Sequence, residues 1–269
     1  MKKNSNTPIV FAVIFLILII AGLAYFILNN DRQNEVVKNS QDSNVVSEPV
    51  EKETYEINSV VIKEDEQTYT LDIRYPQVQG LKNVENEDFI NSTIKSYVEN
   101  EVVLIKNTEN PESSLFKPLL SFDYSIENKG DKILSLMMRG NSYTGGAHGN
   151  PILKTFNFNL ENGNNITFGN ILNNPSQSLN QFSEIVISKL KTTIGDEFSE
   201  QINSGASAEI DNFNIFNLNL DVLKVSFDAY QVGPYAIGNP EVEINYSEIN
   251  NLLNENIKEI LNFKTFNKI

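Results

Sequence analysis

The apolar positions of this chain change their spacing several times, and each change predicts a different element. Residues 8–28 read PIVFAVIFLILIIAGLAYFIL, 21 residues without a charge. At about 1.5 Å of rise per residue, such a helix spans about 30 Å of hydrocarbon. Lys2 and Lys3 precede it. The positive-inside tendency therefore predicts a cytoplasmic stub at 1–7 and everything after the run outside. Tyr25 and Phe26 sit at the outer end, where aromatic rings favour the interface. A cleaved signal peptide is the competing reading. Its apolar stretch is usually shorter and ends in a small-x-small site, for which Ala21-Gly22-Leu23-Ala24 is a weak candidate. The reading adopted is an uncleaved anchor over 8–28. Residues 29–54 lose all apolar periodicity and are rich in Ser, Asn, Gln and Glu, which predicts a flexible tether.

From Tyr55 onward, period two and period three-to-four alternate. Tyr69, Leu71, Ile73 and Tyr75 alternate with polar residues, predicting a strand with 55–63 as its hairpin partner. Over 84–105 the spacing changes: Phe89, Ile90, Ile94, Tyr97, Val98, Val102 and Ile105 predict an amphipathic helix capped by Asn83. Leu120, Phe122, Tyr124 and Ile126 alternate again, followed by a turn at 128–131 and a returning strand over 133–143. Phe156, Phe158 and Leu160 continue the strand pattern, and the Asn162-Gly163 turn predicts a hairpin onto 166–168. Asn174, Pro175 and Gln177 signpost a second helix, which Gly195 ends. A short helix at 196–203, strands over 213–220, 222–230 and 242–246, and a last helix capped by Ser247 complete the chain. Strand runs interrupted by helices, without strict alternation, predict an α+β fold. Its sheets are expected to be mostly antiparallel, with two or three packed helices after the one transmembrane helix. The expected organisation is a stub at 1–7, an anchor at 8–28, a linker at 29–54 and a module at 55–269. Within the module, subdomains are expected at about 55–116 and 117–262.

Composition narrows the chemistry. The 269 residues include no cysteine, which excludes disulfides, thiolate metal sites, iron–sulfur clusters, cysteine nucleophiles and a lipidated cysteine. One histidine, His148, excludes a multi-histidine metal centre. No metal site and no cofactor are expected. The formal charge is −14, and all 35 acidic residues lie beyond the apolar run. Nucleic acid and anionic lipid surfaces are poor partners for such a domain, whereas a basic partner is attracted. The same acidity also serves solubility alone.

Two segments stand out. The first, Tyr143-Thr144-Gly145-Gly146-Ala147-His148-Gly149-Asn150, follows a strand. Its three glycines permit positive φ and close approach of another backbone or a ligand. It matches neither a phosphate loop nor a dinucleotide fingerprint, and the chain has no G-x-S-x-G elbow and no H-E-x-x-H helix. A local structural connection, with Gly145, Gly146 and Gly149 as the motif, is the bland reading. Partner binding through Tyr143 and His148 is the functional one. The second segment, 230–240, reads YQVGPYAIGNP and combines Gly-Pro and Asn-Pro turn signals with two tyrosines. A rigid loop built on Pro234 and Gly238 and presenting Tyr235 suits recognition, since tyrosine offers contact area at low entropic cost. A bend with Tyr235 packed into the core is the alternative.

These same segments carry a family resemblance. YTGGAHGN at 143–150, KTFNFNL at 154–160 and SFDAYQVGPYAIGNPEVEINYSEI at 226–249 resemble a bacterial extracytoplasmic module. That module forms the outer part of RsiV-type anti-sigma factors and the N-terminal part of PdaC-type peptidoglycan deacetylases, and its function is unknown as a domain. The resemblance covers about residues 55–255. It implies that the glycine–histidine segment joins the sheets of two subdomains. In RsiV-type proteins the module binds lysozyme, which implies Pro234 and Tyr235 as contact residues here. Only seven residues precede the apolar run, which argues against a folded cytoplasmic domain. The separate metal-dependent domain of the deacetylases has no counterpart before Ile269.

The function expected from the sequence is therefore a membrane-anchored, non-catalytic, extracytoplasmic binding module. It is expected to capture a basic lysozyme-like wall hydrolase or peptidoglycan, without being an enzyme. A sensor component of envelope-stress signalling is the second class, and a hydrolase working through His148 the third.

Overall fold

The computed structural model describes residues 55–109 and 116–261. The expected stub, anchor and linker over 1–54 lie outside the described residues. Among those described, no helix is long and apolar enough to cross a membrane.

The first half is a five-stranded sheet in the order β1-β2-β3-β4-β5. Strands β1 (Glu56–Asp65) and β2 (Thr70–Gln79) form the expected hairpin, with Asp65 opposite Thr70 and Ile62 opposite Ile73. Helix α1 (Val84–Lys106) then carries the chain over, and β3 (Leu119–Lys129) lies parallel to β2, the one parallel pair among the described strands. Strands β4 (Ile133–Tyr143) and β5 (Asn150–Asn159) add on antiparallel. The N-cap of α1 is as expected: Asn86 N–H donates to the Asn83 side chain at 3.1 Å. The helix buries Ile90, Ile94, Val98 and Ile105, spaced four or seven apart so that they share one face. That face meets Leu71, Ile73, Leu120, Phe122 and Phe156 in one core. Phe89, expected on this face, is 51% exposed, because the stripe turns past it.

The second half packs helices on a three-stranded antiparallel sheet, β6 (Phe216–Leu218), β7 (Val222–Ser226) and β8 (Glu241–Asn245). A short helix α2 (Phe168–Ile171) precedes the long α3 (Pro175–Ile194), and α4 (Ser199–Gly205) follows a 3₁₀ turn. Leu179, Phe182, Val186 and Leu190 of α3 enter a core with Phe168, Phe213, Leu223 and Val225. Phe168, Phe182 and Phe213 are mutually in ring contact, at 4.9 to 5.2 Å between centroids.

The fold is thus α+β with mostly antiparallel pairing, as expected, and several details are corrected. Six helices are described rather than two or three, because four of them are single turns or little more. Residues 166–168 form no strand. Only Phe158 and Asn165 make an isolated bridge, and Thr167 then caps α2, with Asn170 reaching back to its N–H at 3.1 Å. Tyr246 leaves β8 to begin α5 (Tyr246–Ile249), capped by Asn245 and Glu248 rather than by Ser247. A separate α6 (Glu255–Ile260) starts at Asn254, so the last helix is two pieces. The glycine–histidine segment joins β4 to β5 within one sheet rather than linking two sheets. The two hydrophobic cores divide near residue 160, whereas the 116/117 position falls inside the five-stranded sheet.

The halves are joined by a buried polar seam. The Ser135 hydroxyl donates to Asn157 Oδ1 (2.7 Å), Asn157 Nδ2 to the Phe216 carbonyl (2.8 Å), and Asn217 Nδ2 to the Leu136 carbonyl (3.0 Å). Three polar side chains, each at most 2% exposed, thereby tie β4 and β5 to β6.

Candidate functional site

The two segments singled out in the sequence meet at one corner. The β4–β5 connection begins after Tyr143, whose hydroxyl donates to the Gly146 carbonyl at 2.9 Å and whose ring meets Phe116 edge-on at 5.7 Å. Gly145 and Gly146 both take positive φ, 105° and 100°. At Gly145 a Cβ would lie 2.9 Å from the Phe116 ring, so this position requires glycine for conformation and for space. The connection is thereby folded back on Tyr143 and presents His148, which is exposed.

The opposing wall is the loop between β7 and β8. It turns at Asp228–Gln231, where Gln231 N–H donates to the Asp228 carbonyl at 3.0 Å. Gln231 Nε2 reaches the carbonyls of Gly205 (2.8 Å) and Asn212 (3.0 Å), anchoring the loop to the second core. Val232 is fully buried, Pro234 is exposed, and Tyr235 opens a 3₁₀ turn that Gly238 closes at φ 75°.

Tyr235 does not sink into the core. It is half-buried and stacks on His148, with centroids 4.2 Å apart and planes 24° from parallel. Its hydroxyl donates to the Gly149 carbonyl at 3.2 Å, crossing from one loop to the other. Tyr230 adds a third ring, 5.4 Å from Tyr235, with its hydroxyl 3.4 Å from His148 Nε2. The Gly149 carbonyl lies 2.9 Å from His148 Nδ1. A carbonyl only accepts, so Nδ1 donates to Gly149.

Of the residues expected here, His148, Gly149 and Tyr235 come together. Tyr143, Gly145 and Gly146 shape the loop behind them, and Pro234 and Gly238 bound the turn that carries Tyr235. Tyr230 was not singled out as a site residue. It is 61% exposed and is the one non-glycine residue at positive φ, 71°, among the described residues. A bulky residue held there is strained, and such strain concentrates at functional surfaces. Its presence in the aromatic-rich segment was the only sequence signal; neither its backbone nor its neighbours could be read from the chain.

The β7–β8 loop carries one carboxyl, Asp228. Partial burial raises the Asp228 carboxyl above its ordinary range. Burial raises Glu101 on α1 likewise, against the opposing charge of Lys154. Burial, with Glu101 and Asp228 adding negative charge, pushes the Tyr97 hydroxyl well above the usual tyrosine range. Lys154 lies over the Tyr97 ring at 5.6 Å and the Phe156 ring at 5.5 Å. Among the described residues, no group of His, Asp and Glu is arranged to hold a metal ion. The corner can offer aromatic faces, a histidine ring and the Asp228 carboxyl.

Comparison with known proteins agrees with this division. Residues 62–151 match the family described as deacetylase PdaC, and residues 169–247 match the protein family of unknown function DUF3298. The peptidoglycan-N-acetylmuramic acid deacetylase PdaC of Bacillus subtilis (strain 168) is 25% identical over 254 residues, covering 91% of this chain and 50% of that protein. The chain thus spans about half the length of this curated relative. A crystal structure of a DUF3298 family member from Bacteroides fragilis NCTC 9343 superposes with a TM-score of 0.63 at 17% identity, covering 80% of this chain and 99% of that one. A DUF3298 protein from Pseudomonas aeruginosa PAO1 gives 0.51 at 14% identity, covering 76% and 95%. These two show the fold. The expectation that the chain is not an enzyme is corrected here: the curated relative is named a deacetylase, which sets the chain beside an enzyme family. The segments YTGGAHGN and QVGPYAIGN, the two matched families and the shared fold agree, and the chain carries a PdaC-type module of unknown function, a PdaC segment followed by a DUF3298 segment.

Proposed function

We propose that this chain is a membrane-anchored protein whose α+β module stands outside the cytoplasmic membrane and engages cell-wall glycan through the His148–Tyr235–Tyr230 corner. The observation that carries the reading is the ring stack itself. Two loops place three rings side by side, with Tyr230 mostly exposed and the histidine beside it. Aromatic faces carry negative quadrupole charge and suit the C–H faces of a sugar ring, and tyrosine supplies that area at little entropic cost. The name of the Bacillus subtilis relative, a peptidoglycan deacetylase, supports peptidoglycan as the polymer. In this reading the module holds wall polymer within a peptidoglycan-modifying system, and the 8–28 segment keeps it at the membrane.

The net charge of −14 favours a second reading, capture of a basic wall hydrolase of the lysozyme kind at the same corner, with Pro234 and Tyr235 in contact. Calorimetry of the purified protein with soluble muropeptides, and with C-type lysozyme at low and physiological salt, separates the two. The first reading expects saturable muropeptide binding that Tyr235→Ala and Tyr230→Ala each weaken up to about tenfold, the scale of one lost aromatic contact. Lysozyme binding that survives physiological salt, with none to muropeptides, would establish the second. Lysozyme binding at low salt alone reflects screened surface attraction, since the Debye length shrinks to about 8 Å at physiological ionic strength. Muropeptide affinity unchanged by both tyrosine substitutions would sink the assignment to this corner.

A further inference from the structure

Strand β8 is an edge of its sheet, and its free side faces a groove. The register makes the free groups explicit. Phe227 N–H donates to the Pro240 carbonyl at 2.9 Å, toward β8, while Ser226 N–H donates the other way, to Ile215 at 2.8 Å. An antiparallel ladder alternates strictly, so with Val225 opposite Val242 and Leu223 opposite Ile244, the N–H and C=O groups of Val242 and Ile244 face β7. Those of Glu241 and Glu243 therefore point outward. Among the described residues, none hydrogen-bonds to them. The next outward N–H, of Asn245, is taken by Glu248 Oε1 at 2.9 Å. The free edge is thus two alternate residues long, with four backbone groups.

Helix α3 runs beside this edge and leaves an open groove of about 380 Å³ between Ser188, Lys189, Thr192 and Thr193 and the Glu241–Glu243 segment. Its floor at Val242 is buried, and Ser188, Thr192 and Thr193 are exposed hydroxyls. The charges are mostly matched already. Arg139 pairs with Glu241, and Lys189 bridges Glu248 at 3.1 Å. Glu243 is exposed and has no ion pair among the described residues.

We propose that this groove binds an extended peptide segment as an added strand on β8, with a basic side chain of the peptide opposite Glu243. Unpaired strand backbone beside a helix recognises an extended chain through main-chain hydrogen bonds, and the alternate side chains set the specificity. Glu243 selects the charge. A second copy of this chain is the disfavoured occupant. Pairing β8 with β8 about a two-fold axis would bring carboxylates of the same strand together, and like charges across a strand pair are destabilising. The net charge of −14 on each copy adds to that repulsion. This site is separate from the aromatic corner and does not depend on the glycan reading.

The test is fluorescence anisotropy with the purified full-length protein and three labelled hexapeptides: Thr-Lys-Thr-Lys-Thr-Lys, its all-glutamate counterpart, and the lysine peptide N-methylated at alternate residues. Saturable binding of the lysine peptide is expected, at least tenfold weaker for the other two. Thr192→Trp, an exposed position that fills the groove, should weaken it at least tenfold with the melting temperature held, and Glu243→Gln should reduce it severalfold. No saturation by the lysine peptide up to millimolar concentration overturns the proposal. So does equal binding of the N-methylated peptide, which would indicate charge attraction without strand addition. A dimer in sedimentation that Thr192→Trp abolishes would assign the groove to a second copy and overturn it equally.

Discussion

Glu127 and Lys224 form the most buried ion pair among the described residues, at 2.5 Å, with side chains 13% and 11% exposed. Burial alone would raise the Glu127 carboxyl. The hydrogen bonds from Lys224 and Ser125, with the nearby positive charge, outweigh it and hold the carboxyl below its ordinary range. A carboxyl lowered by folding adds stability above its unfolded pKa of about 4.3, and that stability is lost as pH falls through the folded value. Glu127→Gln is therefore expected to destabilise by about 3 kcal/mol at pH 7, because it strands a buried ammonium, and by less at pH 3. Urea unfolding at the two pH values measures this. The double replacement Glu127→Gln with Lys224→Met should cost less than the two single costs added together, since removing both charges leaves neither unpaired. Nothing in the sequence marks this pair: the residues are 97 positions apart and join β3 to β7.

The second sheet shows how one small residue can set a functional loop. Gly205 ends α4, and a Cβ there would lie 1.9 Å from the Gln231 carbonyl oxygen. That contact is with backbone, so Gly205→Ala must move the start of the 231–238 loop. The expected cost is about 1–3 kcal/mol of stability, the usual range for overpacking. Ligand binding at Tyr235 should fall in the folded variant, whereas a substitution at the exposed Glu200 of the same helix should leave it intact. Calorimetry of both variants distinguishes the two. The long elements were legible in advance, because caps and period act locally: Asn83 caps α1, Pro175 opens α3 and the 55–75 hairpin pairs as read. The short ones were not. A four-residue turn such as α5 carries too few periods to distinguish it from the end of a strand, so Tyr246 read as β8.

Across the whole molecule, two apolar cores meet at the seam of Ser135, Asn157 and Asn217. Removing Asn157 leaves the Phe216 carbonyl without its donor and the Ser135 hydroxyl without its acceptor, whereas Leu218 N–H keeps Ser135 Oγ, and leaving buried groups unpaired costs about 1–3 kcal/mol each. Asn157→Ala is expected to lower stability by roughly 3 kcal/mol. Asn157→Asp should fail to rescue it at pH 7, since the carboxylate offers no donor to Phe216 and buries a charge. Chemical denaturation of the two variants checks the pair. The same seam aligns the two sheets so that the β4–β5 connection and the β7–β8 loop share one corner, which makes it a determinant of the candidate site as well as of stability.

Local patterns in the chain were sufficient to predict the α+β class, the order of the long elements and the two segments that carry His148 and Tyr235. These rest on periodicity, capping and turn chemistry, each of which acts within a few residues. Only the tertiary structure decided that the two segments stack ring on ring, that Tyr230 is held beside them at positive φ, and that the glycine–histidine turn lies within a single sheet. It also decided that β8 is an edge with a groove beside it. Each of these depends on contacts between residues far apart in the sequence, set by how two cores pack together, which no local pattern encodes.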